Sequence, residues 1–135
     1  MKKTLYSLLL LAGSAAFAAL AGDRPELYFV APADGATVTG PVHVVFGLRG
    51  MGVAPAGVNR ANTGHHHLVI DAPLPPAGKP IPANDNYRHF GGGQTEAYID
   101  LPPGEHTLQL VLGDHMHVPF EPMVVSKKIT ITISE

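Results

Sequence analysis

The chain is punctuated too often for long helices: thirteen prolines and fifteen glycines are spread through 135 residues. Each proline fixes φ and removes a backbone donor. The segments left between breakers are short, and most alternate apolar and polar residues with period two, the mark of half-buried strands. Residues 26–31 are the first such run. Residues 42–49 follow, with Val42, Val44, Phe46 and Leu48 on one face and His43, Val45 and Arg49 on the other. Residues 65–71 and 95–101 are two more, the latter grouping Ala97, Ile99 and Leu101. Residues 105–112 place Leu108, Leu110 and Leu112 together, and the last run, 124–133, does the same for Ile129, Ile131 and Ile133. A slip of one residue would expose every one of those isoleucines, so the facing of each strand is strongly specified. The spacing predicts an all-β fold, an immunoglobulin-like antiparallel β-sandwich of about seven strands; a small barrel is the alternative.

The first residues read as an export signal. Lys2 and Lys3 precede an apolar core that begins at Leu5, and small residues follow at Ala16-Phe17-Ala18 and Ala19-Leu20-Ala21. The core is short for a membrane span. A signal peptide over residues 1–18 is expected, with cleavage after 21 as the alternative, leaving one β-sandwich domain over residues 19–135 and no membrane span. A bacterial protein, periplasmic or secreted, is the expectation. There is no cysteine, hence no disulfide, thiolate ligand or cysteine nucleophile. Nine basic residues less Lys2 and Lys3 leave seven against eleven acidic ones, a formal charge of −4. That balance excludes the basic patch that nucleic acid needs and disfavours anionic lipid.

Eight histidines remain to be explained. His65-His66-His67 is an unbroken run before Leu68-Val69-Ile70, and His115 and His117 flank Met116 beside Asp114. Neutral imidazole is the commonest metal ligand. Residues two apart on a strand share a face, roughly 6–7 Å apart at Cα, from which two rings can converge on one ion. His65 and His67 satisfy this, and so do His115 and His117 if their segment is extended. His89, at the end of a long proline-rich excursion over residues 72–93, is free to swing toward either pair. Copper or zinc is the ion expected, bound through His65, His67, His89, His115 and His117. Met51, Met116 and Met123 are candidate thioethers, which would favour Cu(I). His66 shares the parity of Leu68 and Ile70 and reads as a packed histidine; His106 reads as a core histidine and His43 as a solvated one. The competing reading makes the histidines a hydrogen-bond network bracing the loops of a non-metal interaction module, whose partner is an envelope protein or polymer met by Tyr87, Phe90 and Phe120. An enzyme is not expected: the chain has no Gly-x-Ser-x-Gly elbow and no His-Glu-x-x-His helix. Asp71, Asp85, Asp114 and Glu121 could orient histidines or cap turns.

The stretches GHHHLVID, HFGGGQTE, LPPGEHTLQLVLGDH and VVSKKITITI, taken in order, resemble an uncharacterised family of exported bacterial domains, the domain-of-unknown-function family 4399. The resemblance runs over residues 53–133. It implies emphasis on His65, His66, His67, His89, Gly93, Gln94, Thr95, Glu96, His106, Asp114, His115 and His117, and it brings no activity with it.

Overall fold

The computed structural model describes residues 24–135, so the expected signal peptide lies outside the described residues. Nine strands and no helix are described: β1 (Glu26–Ala31), β2 (Thr37–Thr39), β3 (Val42–Arg49), β4 (Gly52–Val53), β5 (Thr63–Ile70), β6 (Tyr87–His89), β7 (Glu96–Ile99), β8 (Gly104–Gly113) and β9 (Ile129–Ser134). They form two sheets. The smaller runs β1-β3-β7; the larger runs β2-β9-β8-β5-β4, with β6 also paired to β5.

The alternating runs become strands for the reason their pattern implies. Leu27, Val42, Val44 and Phe46 from the small sheet meet Leu68, Ile70, Leu108, Leu110, Leu112, Ile129, Ile131 and Ile133 from the large one in a single apolar core. Burying each such side chain contributes about 1.5–3 kcal/mol. The opposite faces of β3 and β9 stay open to water, as at His43, Arg49 and Thr132.

Three features differ from the expected strand pattern. β2, β4 and β6 are two or three residues long, too short to show alternation, and they raise the strand count to nine. The pairs β2–β9 and β4–β5 are parallel. The segment 124–128, expected as strand, is irregular: Val125 makes an isolated bridge to Val111, and the Ser126 hydroxyl accepts from the Leu110 amide at 2.9 Å.

β5 lies inside the large sheet and is buried from Gly64 to Ile70. One of its faces meets the main core. The other carries Val69 into a smaller cluster with Val111 and Ile81, flanked by Leu74, Tyr87, Met123 and Val125. That second face also carries His65 and His67. Among the described residues no helix is long and apolar enough to cross a membrane.

Candidate metal centre

Strand parity divides the histidine run. His66 points into the main core, where its ring lies 4.9 Å from Phe46 and its Nδ1 donates to the Gln94 carbonyl at 3.2 Å. His65 and His67 point together to the other face and are almost fully buried, at 0% and 1% exposure. β6 then pairs with β5 so that His89 stands directly opposite His67. Opposed residues on antiparallel strands have their Cβ atoms about 4.5–5.5 Å apart, so the two rings share one patch.

The fourth ring comes from the turn after β8. Asp114 Oδ1 accepts from the amides of Met116 at 2.8 Å and Val118 at 2.9 Å, and the His117 amide donates to the Asp114 carbonyl at 2.9 Å. His117 adopts a left-handed φ of 65°. This turn replaces an extended segment, so parity no longer relates His115 to His117.

His65, His67, His89 and His117 each offer a ring nitrogen, and these four atoms lie within 4.8 Å of one another. His65 Nε2 is 3.0 Å from His67 Nε2 and 3.1 Å from His117 Nδ1. Nitrogens bound tetrahedrally to one ion at zinc-like bond lengths stand about 3.3–3.4 Å apart. The pairs at 3.0 and 3.1 Å are near that spacing, and the widest must close by about 1.4 Å at most. The set could hold a metal ion.

Protonation chemistry points the same way. A neutral ring nitrogen carries one hydrogen or one lone pair. His65 Nε2 therefore cannot satisfy both His67 and His117, since it can donate one hydrogen or accept one but not do both. A cation at the centre accepts all the lone pairs at once. The Nδ1 atoms of His65 and His67 are buried without a hydrogen-bond partner. Metal-bound histidines usually donate that second nitrogen to an acceptor; here ring orientation is held by packing.

Burial and mutual repulsion lower the basicity of His65, His67 and His89. Desolvation, followed by repulsion from His89 and His117, pushes His65 down to about 4, with Asp114 opposing. Desolvation, then repulsion from His65, His89 and His117, pushes His67 down to about 3. His89 is lowered by desolvation and by His117. Two donors are buried, His117 is half-buried and His89 is exposed, so the centre opens to water on one side.

The structure thus brings together four of the five histidines expected as ligands. His115 is half-buried and stands outside the group; its carbonyl accepts from the Gly57 amide at 3.0 Å. Met51 packs against the main core and Met123 against the smaller cluster, while Met116 is 60% exposed. His106 is buried, as its core reading implies, with both nitrogens engaged: Nδ1 donates to Asp71 at 2.6 Å and Nε2 to the Pro102 carbonyl at 2.8 Å. His43 sits outward, stacked on Tyr98 at 4.4 Å and bonded to Glu96 at 3.0 Å. Of the aromatics expected at a partner surface, Phe90 and Phe120 pack against the main core and Tyr87 against the smaller cluster.

Two glycines shape the centre and are not evident from the sequence. A Cβ at Gly113 would stand 2.9 Å from His67 Nε2, and one at Gly91 would overlap the His89 ring. The only signal they leave is proximity: each lies within a few residues of a ligand.

No curated protein and no solved structure matches the chain. A family described as Domain of unknown function (DUF4399) matches residues 44–134, which takes in all four clustered histidines. With two thirds of its length covered by that match, the chain belongs to the DUF4399 family.

Proposed function

We propose that this is an exported protein, periplasmic or secreted, that binds one transition-metal ion, copper or zinc, through His65, His67, His89 and His117, and buffers or delivers it rather than catalysing a reaction. One observation carries the reading: four imidazole nitrogens from three separate segments lie within 4.8 Å of one another. The low basicity of His65 and His67 supports it, because coordination requires the neutral ring. Imidazole suits both zinc and copper. The exposed His89 gives a route for exchange with solvent, in keeping with buffering or delivery. The scaffold is taken as immunoglobulin-like, a reading that two packed and largely antiparallel sheets support.

Equilibrium dialysis of tag-free protein against zinc or copper(II) tests the proposal. About one ion per chain should be retained, as expected of a single site closed by a few imidazoles. The His65→Ala/His67→Ala variant should retain none. Equal retention by variant and wild type would reject the assignment.

A further inference from the structure

We propose that the proline-rich excursion between β5 and β6, residues 71–86, is a strap over the metal centre, and that Ile81 is a positioning residue that holds His117 in place. The proposal rests on the metal reading above and concerns what controls that site. The two ends of the excursion are pinned together: the Tyr87 hydroxyl donates to the Pro73 carbonyl at 2.8 Å, and the Asn86 side-chain amide donates to the Ile70 carbonyl at 2.9 Å. From Pro76 to Asn86 every residue is exposed except Ile81. Ile81 is 5% exposed and packs with Val69 and Val111. Those are near neighbours of the centre, since Val111 pairs with His67 across the sheet.

Ile81 reaches the ligands by two paths. Its amide donates to the carbonyl of His117 at 2.8 Å. Its side chain and the His67 ring border the same space: a Cβ at Gly113 would stand 3.4 Å from Ile81 Cδ1 and 2.9 Å from His67 Nε2. His117 gains from such support, because its left-handed φ of 65° lies in a region that residues other than glycine seldom occupy. The Asp114 turn holds it from one side and Ile81 from the other. Pro80 and Pro82 flank the anchor and restrict the backbone on both sides of it, so docking orders little additional chain.

Docking of the strap and binding of the ion therefore favour each other. The coupling is reciprocal: whatever the strap adds to ion affinity, the ion adds to strap docking. An ion leaves most readily when Ile81 is undocked and His117 is released.

Two measurements test this, with zinc as the probe. Zinc transfer from loaded protein to a colorimetric chelator should be about tenfold faster for Ile81→Ala, the usual scale for losing a partner that orients a ligand. Ile81→Val should restore most of the wild-type rate. Hydrogen exchange at the Ile81 amide of the wild-type protein should slow by about the same factor when zinc is added. The second measurement needs no variant and stands even if Ile81→Ala fails to fold. Retention of zinc with an Ile81 amide indifferent to the ion would overturn the strap and leave the metal site intact. Failure of the wild-type protein to retain zinc would overturn both.

Discussion

His67 sits among three other imidazoles with 1% of its surface reaching water, and its basicity falls accordingly. A buried ring that resists protonation is a stability term with a definite sign. Between pH 6.5 and about 4 the unfolded chain takes up protons that folded His65 and His67 refuse. The metal-free fold therefore loses stability as pH falls through that window. His106 works the other way. Its hydrogen bond to Asp71 raises it above its ordinary value, so its contribution is fully present below about pH 6.5 and is lost as pH rises through the raised value. Asp71 is lowered by the His106 and Thr107 hydrogen bonds against opposing desolvation, and loses its contribution only at lower pH than an ordinary aspartate. Urea midpoints of metal-free protein should fall between pH 7 and pH 4.5. His67→Leu should flatten that slope, because one of the refused protons is gone. A slope unchanged in the variant would show that His67 is not held neutral by the fold.

The elements that carry the clustered histidines differ in how plainly the sequence announces them. β5 is legible, because parity separates His66, which follows Leu68 and Ile70 into the core, from His65 and His67. β1 and β3 coincide with their alternating runs, and β8 exceeds its run by one residue at each end. β6 is not legible. Tyr87-Arg88-His89 has no pattern of its own and becomes a strand only because it pairs with Leu68 and its neighbours. His115 and His117 look equivalent as letters, and only the Asp114 turn decides which of them reaches the centre. The glycine gaps are tertiary facts that no local pattern encodes. Gly113→Ala should press a methyl group against His67 Nε2, at 2.9 Å in the unrelaxed geometry. Overpacking of this kind costs about 1–3 kcal/mol. Chemical denaturation and zinc titration of the variant should show both lower stability and weaker binding. Wild-type behaviour in both would mean that the ring moves aside freely.

At the scale of the molecule, the division of labour is simple. Two sheets close one apolar core, and the loops and short strands on the outer face of β5 assemble the polar centre. The all-β class and the core face of each long strand follow from period-two alternation. The parallel pairings β2–β9 and β4–β5 do not, since each involves a strand of three residues or fewer. The whole account turns on four rings meeting at one ion, and X-ray absorption at the zinc edge of stoichiometrically loaded protein tests that most directly. It should report four nitrogen neighbours at about 2.0–2.1 Å, with the outer scattering of imidazole rings. A first shell of oxygen, or fewer than three imidazoles, would contradict it.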